Sequence, residues 1–162
     1  IDGCGDRAYY SFGDGVREMN NDLFFSSKSE EWATPQDFFE QIDKEFHFNL
    51  DACATAENAK CDKYYTKEQD GLSQEWDGII WCNPPYGRSI GMWVKKAYES
   101  KATVVLLVPA RTDTKWFHDY VLGKAEVRFV KGRLKFGGCK NSAPFPSMLV
   151  VYRKEIKQGE SL

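Results

Sequence analysis

The chain of 162 residues is 42% hydrophobic and 15% aromatic, enough to bury one sizeable core and hardly two. It has no run of roughly 18 apolar residues that could span a membrane, and no basic start followed by an apolar signal segment. The five cysteines are widely spaced and include no C-x-x-C pair, which argues against a disulfide framework and a zinc site. We therefore expect a soluble cytoplasmic domain with reduced thiols and no metal.

Charge is unevenly distributed along the chain. Residues 1–87 carry 7 Lys and Arg against 18 Asp and Glu, whereas residues 88–162 carry 15 against 6. This asymmetry predicts a basic face for nucleic acid, although mixing of both signs in the folded protein explains it equally well.

The first residues lack hydrophobic periodicity and hold four glycines within fifteen positions. We predict a disordered extension over residues 1–20, one domain over residues 21–154 and a flexible tail over residues 155–162.

The first regular element is a helix that starts in "WATPQ". Thr34 is the expected N-cap, Pro35 suits the first turn and Asp37 completes a capping-box pattern. Apolar residues follow at helical spacing, namely Phe38, Ile42 and Phe46.

A strand is predicted directly after this helix, because Phe46, Phe48 and Leu50 alternate with polar residues. It would end at Asp51, and His47 would lie on its exposed side.

The rest of the chain predicts further strands and helices. Strands are expected at residues 78–82 and 103–110, and the second is an unbroken apolar run typical of a central parallel strand. A helix face between them is formed by Ile90, Trp93, Val94 and Ala97, and a short helix at residues 114–123 ends at Gly123. Two closing strands, near residues 127–136 and 147–152, are expected to pair antiparallel.

This order predicts an α/β fold with an open, mostly parallel sheet and an antiparallel C-terminal strand pair. Ligands of such sheets bind at the carboxyl ends of the strands. Asp51 and Asn83 fall at two of these ends, so we expect them to lie near one crevice.

The stretch from Gly78 to Gly87, "GIIWCNPPYG", ends an apolar strand in an amide and two prolines. Asn83 offers a side-chain acceptor, and Pro84 offers a carbonyl on a backbone whose φ is fixed. A planar amino group that donates both hydrogens to such acceptors becomes pyramidal, which frees its lone pair. With Tyr86 to stack on a ring, the motif favours attack by an amino nitrogen. A rigid Pro-Pro turn is the plainer interpretation.

Several motifs in order carry a family resemblance. From about Asn21 to Arg153 the chain resembles the phage-type, S-adenosylmethionine-dependent DNA N6-adenine methyltransferase (Dam) family, which implies a Rossmann-like methyltransferase fold. The motifs are "EWATPQ", "LDACAT", "DGLSQEW", "NPPYG", "VPARTDTKWFH", "GRLKF" and "APFPSMLVVY".

The resemblance implies a catalytic motif of Asn83, Pro84, Pro85 and Tyr86. The first two would accept hydrogen bonds from N6 of the target adenine, and the tyrosine would stack on the flipped base. Direct transfer of the methyl group would need neither a metal nor a covalent enzyme intermediate.

The resemblance also implies cofactor-binding residues. Asp51 would hold the methionine end of S-adenosylmethionine, with Ala52 beside it, Thr34 near its carboxylate and Asp70 facing its adenine. The segment "LDACATAENAK" departs from related methyltransferases because it has no glycine, so small alanines such as Ala54 must allow the close approach.

Double-stranded DNA is the implied partner. Phe136 would be a second aromatic beside the base, and Arg111, Arg133 and Lys135 would contact phosphates. A core position for the phenylalanine and a solvated face for the three cations explain them nearly as well. Loops at residues 111–116 and 133–146 would read the DNA sequence.

Other interpretations keep part of this chemistry. The Asn-Pro-Pro-Tyr motif also occurs in methyltransferases of protein glutamine or RNA bases. A module that binds nucleic acid but has lost cofactor would fit the missing glycines. The resemblance implies a phage or prophage protein acting in the cytoplasm of a bacterial host, and the oligomeric state stays open.

Overall fold

The computed structural model describes residues 9–11, 16–18 and 32–154. Strands β1 (Tyr9–Ser11) and β2 (Val16–Glu18) pair antiparallel in a unit of their own. The rest of the predicted disordered extension and the flexible tail at residues 155–162 lie outside the described residues. The predicted domain boundaries therefore stay predictions.

The second unit is an α/β domain built on one five-stranded sheet. Its elements in chain order are α1 (Gln36–Phe46), β3 (Leu50–Asp51), a 3-10 helix (Gly71–Ser73), β4 (Ile79–Cys82), α2 (Ile90–Glu99), β5 (Thr103–Pro109), α3 (Lys115–Tyr120), β6 (Glu126–Phe129) and β7 (Ser147–Tyr152). The strand order is β3-β4-β5-β7-β6. β3, β4 and β5 run parallel, and β7 is antiparallel to both β5 and β6. The predicted mostly parallel, Rossmann-like sheet with an antiparallel C-terminal pair is confirmed.

Helices cover both faces of the sheet. Phe39 of α1 packs edge to face on Trp81 of β4, with 5.2 Å between ring centroids. Tyr98 of α2 meets Tyr152 of β7 at 6.1 Å. Trp81 lies opposite Val105 on β5, and Tyr152 lies opposite the neighbouring Val104, so the two contacts are on opposite faces. This double cover explains why the central strand is an unbroken apolar run.

The start of α1 differs from the prediction. Pro35 occupies the N-cap position, and no side chain caps the helix. The predicted cap by Thr34 and the capping box through Asp37 are therefore wrong. Thr34 lies one residue before the N-cap, and its Oγ1 accepts a hydrogen bond from Asn83 Nδ2 at 3.0 Å instead.

The strand after α1 is also shorter than predicted from the alternation of Phe46, Phe48 and Leu50. Phe46 is the last residue of the helix, and His47 ends it in the left-handed conformation with φ 56°. Phe48 packs on Phe46 of α1 and on Trp81 of β4, each at 5.5 Å between centroids. Only Leu50–Asp51 forms the strand. His47 is exposed, as expected.

Two other boundaries moved. The predicted helix at residues 114–123 ends at Tyr120, and the predicted strand at residues 127–136 ends at Phe129. Gly132 follows with φ 74°, a conformation that a strand does not allow. Residues 130–146 instead form a long connection closed by a hydrogen bond from Ala143 N to Leu134 O at 2.8 Å. Over the described residues, no helix is both long and apolar enough to cross a membrane.

Gly71 tests how tightly the loops above the sheet are packed. A Cβ at Gly71 would lie 2.1 Å from the Ala52 carbonyl oxygen, so Gly71→Ala must push two backbone segments apart. We expect the free energy of unfolding to fall by about 1–3 kcal/mol, measured by urea denaturation. Gly91→Ala is the control. Gly91 lies within α2, where alanine is favoured over glycine, and its Cβ would lie an ordinary 3.4 Å from Trp116 of α3. Equal effects of the two substitutions would contradict this packing.

Candidate active site

Asn83 directly follows β4, and both hydrogens of its side-chain amide are used. Nδ2 donates to Thr34 Oγ1 at 3.0 Å and to the Trp32 carbonyl. Because a carbonyl can only accept, the nitrogen must face Trp32 and Oδ1 must point the other way. Oδ1 is buried and has no hydrogen-bond partner among the described residues.

A buried acceptor without a donor costs free energy, so its retention points to a functional atom. The sequence predicted this acceptor at Asn83. It did not predict that the segment before α1 fixes its direction. Oδ1 is covered in the structure, so a neighbouring group must move before an amine can reach it.

Four aromatic side chains surround this end of the sheet. Tyr86 meets Phe136 at 6.1 Å and Phe145 at 5.6 Å, and Trp32 meets the same two rings at 5.4 Å and 5.3 Å. The structure thus brings the predicted Tyr86 and Phe136 together. Trp32 and Phe145 were missed, although "EWATPQ" and "APFPSM" contain them.

Tyr86 is anchored through its hydroxyl. Its hydroxyl donates to the Leu107 carbonyl of β5 at 3.0 Å, and burial raises its pKa well above the usual value. Pro84 is buried and Pro85 is half-buried. The motif is therefore a rigid piece of the core, and stacking of the tyrosine on a base stays a prediction.

Asp51 lies beside this motif because β3 and β4 are neighbours, with Asp51 opposite Trp81. Asp51 is 2% exposed, and its carboxylate accepts from the backbone N–H of Cys53 at 3.2 Å and of Lys60 at 3.0 Å. Burial raises its pKa to about 6, against the smaller opposing effect of these hydrogen bonds. The structure thus confirms that Asp51 and Asn83 lie at neighbouring strand ends.

The loop after β3 is ordered without glycine. Ala52 N donates to Trp81 O and Ala54 N to Tyr65 O, both at 2.9 Å. Thr55 and Asn58 exchange hydrogen bonds between backbone and side chain at 2.7 Å and 3.3 Å. The backbone of Gly71 packs on the Ala52 carbonyl oxygen and fixes this loop from the other side. Close approach of a cofactor to the small residues Ala52 and Ala54 stays a prediction.

Asp70 is exposed and adopts a positive φ of 53°. Its carboxylate caps the 3-10 helix by accepting from Leu72 N at 3.2 Å and from Ser73 Oγ at 3.1 Å. It is the residue before Gly71 and so lies near the Ala52 loop. Its contact with a cofactor adenine stays a prediction.

The predicted phosphate contacts Arg111, Arg133 and Lys135 are all exposed. Residues 130–146 also include exposed Lys131 and Lys140 and hold no acidic residue. This basic segment is attached to the site, because Gly137 N donates to Ala33 O at 2.9 Å, between the two residues that hold Asn83.

One more buried polar atom lies at this end of the sheet. Ser147 Oγ, on β7 opposite Pro109, is buried without a partner among the described residues. The sequence gives no signal for it, because Ser147 starts a strand that reads as core. No three described His, Cys, Asp or Glu side chains could share a metal ion, and the expectation of metal-free chemistry stays a prediction.

Comparison with known proteins identifies the family. The sequence model of the family described as DNA N-6-adenine-methyltransferase (Dam) matches residues 24–161. The chain belongs to this family. It is 31% identical over 140 residues to the DNA N-6-adenine-methyltransferase of Haemophilus phage HP1, covering 79% of this chain and 81% of the relative. It is 32% identical over 109 residues to the protein of the same name from Escherichia phage T1, covering 64% of this chain and 45% of the relative.

The family membership bears directly on the predictions from sequence. The resemblance to the phage Dam family is confirmed, and so is the expectation of an enzyme of the DNA adenine-N6 methyltransferase class. The roles of individual site residues are untested by these matches.

The raised pKa of Asp51 predicts a pH dependence of stability. The folded protein holds this proton more tightly than the unfolded chain, so the contribution of Asp51 to stability is largest below about pH 4 and is lost as the pH rises through about 6. Urea unfolding should show the free energy of wild type relative to Asp51→Asn falling by about 2–3 kcal/mol between pH 4 and pH 7.

Glu45→Gln is the control of opposite sign. Hydrogen bonds from Arg128 and Arg153 lower the pKa of Glu45 to about 2. Its contribution is therefore present at neutral pH and lost as the pH falls towards 2. A difference between wild type and Asp51→Asn that stays constant from pH 4 to pH 7 would contradict the assignment.

Proposed function

We propose that this protein is a site-specific DNA adenine methyltransferase that transfers a methyl group from S-adenosylmethionine to N6 of an adenine flipped out of double-stranded DNA. Family membership supports the reaction class. The observation that carries the proposal is the buried, unpartnered Oδ1 of Asn83 at the end of β4.

The cofactor residues fit the group that the family implies. S-adenosylmethionine supplies a methyl group activated by a sulfonium and also carries an ammonium. Asp51 offers a desolvated carboxylate with a raised pKa, which a neighbouring cation would stabilise in its charged form. Thr34, Ala52 and Asp70 complete the set that we propose for the cofactor.

The catalytic motif would act on the amine. Asn83 Oδ1 and the Pro84 carbonyl would accept the two N6 hydrogens, which would make the nitrogen pyramidal and free its lone pair for direct in-line attack on the methyl group. Pro85 and the anchored Tyr86 hold these acceptors in place, so little reorganisation is needed during transfer. As the bond from N6 to carbon formed, the carbon–sulfur bond would break and leave a neutral thioether. The positive charge would pass to nitrogen, which would then lose a proton to water.

The aromatic and basic groups would bind the DNA. Tyr86 and Phe136 flank the flipped base, and the cations Arg111, Arg133 and Lys135 contact phosphates. Phe136 is 1% exposed. We therefore propose that Phe136 moves when the base enters, while Tyr86 stays anchored through its hydroxyl.

Two alternatives keep the motif and change the function. A protein glutamine or an RNA base presents the same planar amine, and an inactive module would bind nucleic acid without transfer. The Dam family match over residues 24–161 favours DNA over both. The phage relatives further support a phage or prophage protein that acts in the cytoplasm of a bacterial host.

The experiment that tests this function is transfer of a labelled methyl group to a panel of acceptors. Unmethylated double-stranded DNA should be labelled, and digestion to nucleosides should yield N6-methyladenine as the labelled product. Label on protein or RNA alone would move the assignment to the first alternative. Tight DNA binding without transfer to any acceptor would favour the inactive module.

Asn83→Ala is expected to reduce methyl transfer by at least about 100-fold, because it removes the acceptor that recognises the reacting amine. Binding of S-adenosylmethionine, measured by calorimetry, should stay within a few-fold of wild type. Asp51→Asn is the contrasting variant and should weaken cofactor binding. Loss of cofactor binding in Asn83→Ala would refute the role given to Asn83.

A further inference from the structure

Thr34 has a side chain that the helix beside it does not use. It immediately precedes Pro35, the N-cap of α1, yet α1 has no side-chain cap. The residue is 5% exposed, and its hydroxyl accepts from Asn83 Nδ2 at 3.0 Å. The burial and the bond tie the hydroxyl to the catalytic motif, 49 positions away in the sequence.

The bond matters because an asparagine amide has two unlike ends of similar shape. If the amide turned over, Nδ2 would face the incoming amine, and two donors would meet. The Trp32 carbonyl sets the direction because it can only accept. Thr34 takes the second Nδ2 hydrogen, which leaves Oδ1 as the free end.

The segment that carries both partners is itself held in place. Ala33 O accepts from Gly137 N at 2.9 Å, and the Trp32 ring packs on Phe136 at 5.4 Å. On the other side, Pro35 begins α1 with φ −56°, fixed by its ring. Thr34 is therefore braced by a helix and by the basic segment at residues 130–146.

We propose that Thr34 is a positioning residue for methyl transfer, acting through Asn83 by holding Oδ1 towards the acceptor amine. This inference rests on the proposed function. The Thr34 hydroxyl accepts from Asn83 and keeps its own hydrogen, so the bond is compatible with a contact to the cofactor carboxylate.

Kinetics of two substitutions test the proposal. Thr34→Val keeps the shape and removes the acceptor, whereas Thr34→Ser keeps the hydroxyl. We expect kcat to fall about 10- to 100-fold in Thr34→Val and to recover to within a few-fold of wild type in Thr34→Ser. The KM for DNA should change by no more than a few-fold. The kcat values are compared at saturating S-adenosylmethionine, because Thr34→Val also removes the hydroxyl that we propose for the cofactor carboxylate. An unchanged kcat in Thr34→Val, with or without weaker cofactor binding, would overturn the positioning role.

A second measurement does not depend on activity. Hydrogen exchange of the Asn83 side-chain amide, followed by NMR in the protein without ligands, should be slow in wild type and Thr34→Ser. It should be at least about tenfold faster in Thr34→Val, because one Nδ2 hydrogen loses its partner. Equal exchange in all three proteins would overturn the proposal. Absence of transfer by wild type would count against the proposed function. The exchange rates would still show whether Thr34 holds the Asn83 amide in place.

If Thr34→Val fails to fold, Thr34→Ala replaces it in both measurements. It also removes the acceptor, and the same two outcomes apply to it.

Discussion

The site depends on one pair of hydrogen bonds, from Asn83 Nδ2 to the Trp32 carbonyl and to Thr34 Oγ1. They join the end of β4 to the segment before α1, and they leave Oδ1 as a buried acceptor with a fixed direction. Such an atom is costly in the folded protein, and in the proposed function it would serve as a preorganised acceptor for the incoming amine. The aromatic cluster and the Asp51 loop are arranged around this point.

The fold places these partners by simple means. Parallel pairing of β3 and β4 brings Asp51 and Asn83 to neighbouring strand ends. Thr34 lies just before the N-cap of α1, the helix on one face of the sheet. The basic segment at residues 130–146 is attached through the bond from Gly137 to Ala33. A segment rich in exposed cations is therefore connected to the residues that orient the acceptor. DNA contacts and chemistry would then share one structural unit.

Elements that follow from the local hydrophobic pattern alone were predicted well from the sequence. The unbroken apolar run of β5 is buried on both faces, and Ile90 to Ala97 form one buried helix face. Predictions failed where distant groups compete for the same side chain or space. Thr34 looks like a helix cap, but it lies one residue before the N-cap and its hydroxyl accepts from Asn83. These outcomes depend on tertiary contacts that no local pattern records.

The most direct test is a structure of the protein with adenine-containing DNA and a nonreactive cofactor analogue. The N6 amine of a flipped adenine should lie about 2.7–3.2 Å from Asn83 Oδ1, while Nδ2 still donates to Trp32 and Thr34. An adenine bound with N6 away from Oδ1, or an Asn83 amide turned over towards the base, would contradict the central role of this acceptor.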